Sequence, residues 1–137
     1  MRDYPNLPVV VMSAHIRGAS PAQNDIRTRL LKEDLTQAGL TFAPAKEYFE
    51  GIHEAGFIVP LPWAKDFQTV LEYARVWTQD SVLYLAPREL GARKAWLYHL
   101  DGTTPIEAVG LLRPVDSPRG HSAWTLNEAT GRFYVAS

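Results

Sequence analysis

The chain contains no cysteine. That excludes a disulfide framework, a cysteine-ligated zinc site and a thiol nucleophile. No stretch approaches the ~20 consecutive apolar residues of a membrane-spanning helix. Ahead of Val9-Val10-Val11, the segment Met1-Arg2-Asp3-Tyr4-Pro5 is too short and too polar for a secretory signal, so the chain reads as a soluble cytosolic protein without membrane contact. An excess of charge is also lacking, because 14 basic and 15 acidic residues leave a formal net charge of −1. This disfavours nucleic-acid binding driven by phosphate electrostatics, and equally a strongly acidic surface that mimics DNA. There is no P-loop and no G-x-G-x-x-G, and His15, His53, His99 and His121 form no pair at metal-ligand spacing.

What is present is a well-filled globular composition. With 137 residues, 46% hydrophobic and 11% aromatic, the chain has enough apolar surface for one compact domain over residues 1–137. Val9 to Met12 predict a buried strand. Ser20-Pro21-Ala22-Gln23 predicts a helix start, with Ser20 as N-cap, Pro21 at the first helical position and Gln23 closing a capping box. That helix should run to about Ala38, bury Ile26, Leu30, Leu31 and Leu35, and stop at Gly39. A strand interrupted near Pro44 follows over 40–49, Gly51 and Gly56 bracket a turn, and 56–59 form the next strand. Phe67, Val70, Leu71, Ala74 and Trp77 recur at helical spacing in a second helix from Trp63 to about Thr78. Residues 82–85 are the following strand. This order predicts an α+β fold with a ferredoxin-like βαββαβ core. Extra C-terminal strands are expected at 94–99 and 106–112, with a hairpin of 124–126 and 132–135, and 114–120 should be a surface loop.

Chemistry-bearing residues are sparse. Trp77-Thr78-Gln79-Asp80-Ser81 places an amide, a carboxylate and a hydroxyl where a helix hands over to a strand, and structural use at the helix end is the commoner outcome there. Ser13, His15 and Asp80 make a triad on paper, without a G-x-S-x-G turn to support it. Arg27 and Arg29 read as a solvated helix face or an ion pair, His99 as a structural strand residue, and Glu47, Glu50 and Glu54 as a solubilising cluster near a turn.

Several segments, in order, resemble the phage-encoded S-adenosylmethionine lyases, also described as S-adenosylmethionine hydrolases. They are the strand ending in Ser13-Ala14, the N-x-x-R-x-R spacing of Asn24, Arg27 and Arg29, and the pair Glu54-Ala55 after a Gly-containing turn. With them go Trp77-x-Gln79-Asp80-x-Val82-Leu83, similar to the family's W-x-Q-D-x-V-L, and the closing Gly131-Arg132 with two aromatics and Val135. The resemblance implies a PII-like homotrimer with ligand sites between subunits. It implies Glu54 and Gln79 as the catalytic pair, Ser13, Ala14, Asp80 and Tyr48 as substrate contacts, and no cofactor or metal. Its reaction is intramolecular: the substrate carboxylate attacks its own γ-carbon and releases 5′-methylthioadenosine and homoserine lactone. In an infected host's cytoplasm this would deplete S-adenosylmethionine and counter restriction–modification. The competing expectation is a non-catalytic PII-like trimer that binds or sequesters a nucleotide.

Overall fold

In the computed structural model, which describes residues 4–49 and 51–136, the chain order is β1 (Val9–Ser13), α1 (Pro21–Gln37), β2 (Ala43–Phe49), β3 (Ile52–Pro60), α2 (Ala64–Val76), β4 (Ser81–Leu85), β5 (Arg93–His99), β6 (Glu107–Val115), β7 (Ala123–Asn127) and β8 (Arg132–Ala136). Met1 to Asp3, Glu50 and Ser137 lie outside the described residues.

The expected ferredoxin-like, PII-like fold is not what forms. The strands close into an antiparallel barrel in the order β1-β3-β2-β7-β8-β6-β5-β4. A ferredoxin-like sheet would leave β2 and β4 as open edges. Here β2 pairs with β7 from Ala45↔Asn127 to Phe49↔Ala123, and β4 pairs with β5 from Ser81↔His99 to Leu85↔Ala95. The C-terminal strands are thus the other half of the wall. Exposed edges of unpaired N–H and C=O groups are a liability, and closure removes them.

Side-chain alternation along each strand splits the interior into two cores. Val10 and Met12 of β1, Phe57 and Val59 of β3 and Val82 of β4 face out of the barrel. They pack against Leu31 and Leu35 of α1 and Val70, Leu71 and Ala74 of α2. Val9, Val11, Ala45, Ile58, Leu85, Ala95, Leu112 and Tyr134 form the second cluster, inside the barrel.

The capping box at Ser20 and Gln23 is present. Two expectations are corrected, one about burial and one about a turn. Ile26 and Leu30 are 48% and 38% exposed, because the sheet meets α1 only along its Leu31–Leu35 side. Gly56 lies within β3, opposite Ser13 of β1, and not at a turn. A Cβ there would sit 2.2 Å from the carbonyl oxygen of Met12, so close backbone approach selects the glycine. Both helices end in a Schellman motif. At α1, Leu40 N–H donates to Leu35 and Gly39 N–H to Thr36; at α2, Gln79 N–H donates to Ala74 and Thr78 N–H to Arg75. The left-handed position is Gly39 in the first (φ 74°) and Thr78 in the second (φ 55°).

Candidate functional site

The loop after β1 is held from three sides by side chains that bond its backbone. Asn24 accepts from Ile16 N–H at 2.9 Å through Oδ1 and donates to Ile16 O through Nδ2. Arg27 donates through Nε to Ala14 O at 2.6 Å, and through Nη2 to Trp77 O and the Thr78 hydroxyl. Gln79 donates through Nε2 to His15 O at 3.0 Å and to Trp77 O at 3.3 Å. Trp77 completes the clamp: its ring lies 5.0 Å from the Arg27 guanidinium, and its indole N–H donates to Asp34 at 2.9 Å. Arg27 therefore does not belong to a solvated face. It ties the end of α2 to the end of β1, whereas Arg29 is exposed.

Ser13 is buried, donates its hydroxyl to Ala55 O at 2.8 Å and accepts from His15 N–H at 3.0 Å. Both contacts are to main-chain groups, so its hydroxyl is not spent on a histidine side chain as a triad would require. His15 Nε2 is buried and has no hydrogen-bond partner among the described residues.

The clamped loop carries Arg17 to one end of the barrel, where the lumen opens as a cavity of about 510 Å³. An eight-stranded barrel has room for packed side chains or one small ligand, and this volume falls within the ~300–1,000 Å³ of small-molecule sites. Its walls include Leu83, Leu97, Leu112, Trp124 and Tyr134, and its polar groups include Arg17, Glu47, Glu54 and Thr125. Tyr48 stands at this rim, stacked on Trp124 with centroids 5.4 Å apart and tilted against His53 at 4.7 Å. Phe49, Ile52 and Val109, also lining the cavity, remain exposed and apolar.

Glu47 and Glu54 are cross-strand partners in the β2–β3 ladder. Burial pushes the Glu47 carboxyl up to about 7, with the neighbouring Glu54 adding to the shift. Burial also raises Glu54, while His15 and Arg17 favour its charged form and Asp80 opposes it.

Gln79 and Asp80 do not line this cavity. They lie in a separate groove of about 530 Å³ with Arg75, Thr78, His99, Leu100 and Asp101. Asp101 is committed to its own turn, accepting from Thr103 N–H, Thr104 N–H and the Thr104 hydroxyl, which hold its carboxyl well below the usual range. His99 bonds Glu107 at 3.1 Å. The structure thus gathers Glu54 and Tyr48 at the lumen, buries Ser13 and Ala14 beneath the loop, and sets Gln79 and Asp80 on the loop's other side.

Glu47 is the residue that sequence reading missed. Ala43, Ala45 and Glu47 alternate along one strand face, and a turn around Gly51 sets Glu47 opposite Glu54. That signal was present but indistinguishable from a polar turn until the strands were paired. Among the described residues no group of three or more His, Asp or Glu side chains is placed to hold a metal ion, and no helix is long and apolar enough to cross a membrane.

The comparison with curated proteins finds no match. The sequence model of the S-adenosylmethionine lyase family matches residues 10–137. It takes in both walls of the cavity, the clamped loop and the groove beside it. The chain belongs to the S-adenosylmethionine lyase family.

Proposed function

We propose that this chain, as a single S-adenosylmethionine lyase domain, cleaves S-adenosylmethionine to 5′-methylthioadenosine and homoserine lactone. A carboxylate oxygen of the substrate attacks its own γ-carbon, the γ-carbon–sulfur bond breaks, and the electron pair stays on sulfur. No proton is transferred, so neither a general base nor a cofactor is needed. The enzyme's task is to fold the methionyl arm into attack geometry, the kind of positioning that contributes most when reactants are already tethered.

The observation that carries this reading is the mostly apolar lumen, bordered at its mouth by Arg17 of a loop pinned by Asn24, Arg27 and Gln79. A carboxylate and a sulfonium neutralise each other as the reaction proceeds. Surroundings drier than water therefore favour the transition state over the ground state. An enzyme carboxylate pressed on the sulfonium would stabilise the starting charge instead. Glu54 is accordingly assigned to the α-ammonium or the ribose hydroxyls. Tyr48, whose ring lies with those of His53 and Trp124 on the face of β2 opposite Glu47, contacts the substrate from the rim. Ser13 and Ala14 act through the loop they anchor, since the Ser13 hydroxyl and the Ala14 carbonyl are already engaged. Gln79 and Asp80, facing the outer groove, hold the methionyl arm or nucleoside of a ligand shared with the adjoining subunit of a homotrimer. Exposed Phe49, Ile52 and Val109 provide apolar surface for such an assembly to cover. In the cytoplasm of a phage-infected bacterium the activity would deplete S-adenosylmethionine and weaken restriction–modification.

Purified protein incubated with S-adenosylmethionine alone should release 5′-methylthioadenosine, and in water enriched in heavy oxygen the label should enter the carboxyl group of homoserine as the lactone opens. Label on the γ-carbon would make the enzyme a hydrolase. Intact substrate together with calorimetric binding would replace the enzyme with a sequestering protein.

A further inference from the structure

Glu47 has no role in the mechanism above, yet it lines the lumen directly beside Glu54. On β2 it follows Ala43 and Ala45 on the inward face, while Lys46 points the other way to Glu128, 3.9 Å distant. Its register neighbours are Glu54 on β3 and Thr125 on β7. Directly opposed residues of an antiparallel pair have Cβ atoms about 4.5–5.5 Å apart, so the two carboxyl groups share one space. Besides Glu47, the charged and titratable groups that line the same cavity are Arg17 from the loop after β1, Tyr48 from β2, Glu54 from β3, Glu107 from β6 and Tyr134 from β8. His15 and Asp80 act on Glu54 from outside that lining. Arg17 favours the charged form of Glu54, and Glu107 bonds His99. Among the described residues Glu47 has no such counter-charge.

We propose that Glu47 is a second substrate-binding carboxylate, set beside Glu54 to receive the α-ammonium of the methionyl arm, so that the lumen favours an ammonium-bearing ligand over neutral 5′-methylthioadenosine. This rests on the function proposed above. The ammonium is unchanged by the reaction, so holding it anchors the arm without opposing charge neutralisation at sulfur. It also gives the nucleoside product a weaker grip than the substrate, because 5′-methylthioadenosine lacks the group that Glu47 holds.

Burial keeps Glu47 largely protonated below neutral pH while the lumen is empty. An ammonium within about 4–6 Å lowers a carboxyl pKa by roughly 1–3 units. Binding must then expel a proton to solvent, and affinity must rise with pH.

The experiment is calorimetry at pH 6 and pH 8 with two ligands. S-adenosylhomocysteine carries the amino-acid arm but not the sulfonium, and 5′-methylthioadenosine lacks the arm. For wild type, S-adenosylhomocysteine should bind about tenfold more tightly at pH 8 and release about half a proton at pH 7, read from phosphate and Tris buffers. Binding of 5′-methylthioadenosine should not change with pH. In Glu47→Gln the pH response of S-adenosylhomocysteine should vanish while affinity for 5′-methylthioadenosine is retained, which also reports an intact fold. A wild-type affinity for S-adenosylhomocysteine that is flat with pH, or a response that survives in Glu47→Gln, overturns the proposal. Should the variant not fold, the contrast between the two ligands on wild type decides. If S-adenosylmethionine is cleaved and 5′-methylthioadenosine binds but the pH response is missing, only the role of Glu47 fails. If nothing is cleaved and neither ligand binds, the proposed function fails with it.

Discussion

The two ends of the barrel both carry charge, and they treat it in opposite ways. At one end Arg93 points inward and is 2% exposed. Its guanidinium donates to the carbonyls of Tyr4 at 2.6 Å, Leu7 at 2.8 Å and Ala86 at 3.1 Å. Burial lowers its pKa, the nearby Tyr134 opposes that shift, and the like charge of Arg88 adds to it. The fork geometry of arginine suits this use, since one side chain can satisfy several carbonyls at once. At the other end Glu47 and Glu54 stand in a mostly apolar cavity, and burial raises both. A buried charge with partners closes an end of a barrel. Two carboxyl groups whose desolvation is not repaid leave an end that a cationic ligand can complete.

The largest effect should come from breaking the closed end. Arg93→Met strands buried carbonyls without a donor, at roughly 1–3 kcal/mol for each group. Urea denaturation should therefore show a loss of about 3 kcal/mol or more, and a midpoint equal to wild type would mean that Arg93 does not plug the barrel.

At the open end the expected losses are in rate. Glu54→Gln and Gln79→Ala should each lower turnover of S-adenosylmethionine by roughly 10²-fold, the scale of misplacing a reacting group. Arg27→Ala should match them without touching substrate, because it frees the same loop. If Glu54→Gln is far worse than the other two and the wild-type rate has an acidic limb, Glu54 works as a base and the positioning account is wrong.

Glu47 sharpens the contrast through stability. Its carboxyl lies at about 7 against an ordinary 4.5. Between those values the folded protein keeps a proton that the unfolded chain has lost, so stability falls as pH rises through that window. Glu47→Gln should raise stability at pH 8 by about 1–3 kcal/mol and leave it unchanged near pH 4. Stabilisation of the same size at both pH values would assign the gain to packing.

The smallest effect concerns the join between the clamp and α2. Thr78 adopts a left-handed conformation that glycine takes without strain. Thr78→Gly should raise stability by roughly 0.5–1 kcal/mol, offset in part by the lost bond to Arg27. A thermal melt that falls would show that the hydroxyl outweighs the strain.

Local order was legible from residues only a few positions apart. Ser20, Pro21 and Gln23 start α1 by bonding groups within one turn, and Gly39 ends it, so no distant contact is needed. The run of strand and helix signals from Val9 to Leu85 follows from side-chain periodicity in the same way. The family resemblance was also legible, because it resides in collinear short motifs. Closure of the barrel was not. Whether β2 ends a sheet or pairs with β7 depends on backbone N–H and C=O groups some eighty residues apart in sequence, and those groups are the same in every residue. Burial on α1 depended equally on closure, and so Ile26 and Leu30, apolar and helical, were left outside. The clamping roles of Arg27 and Gln79 needed the ends of β1 and α2 to meet before their donors had carbonyls to reach. Glu47 shows the division most sharply: its chemistry belongs to the side chain, but its pKa belongs to the enclosed space that only the completed barrel creates.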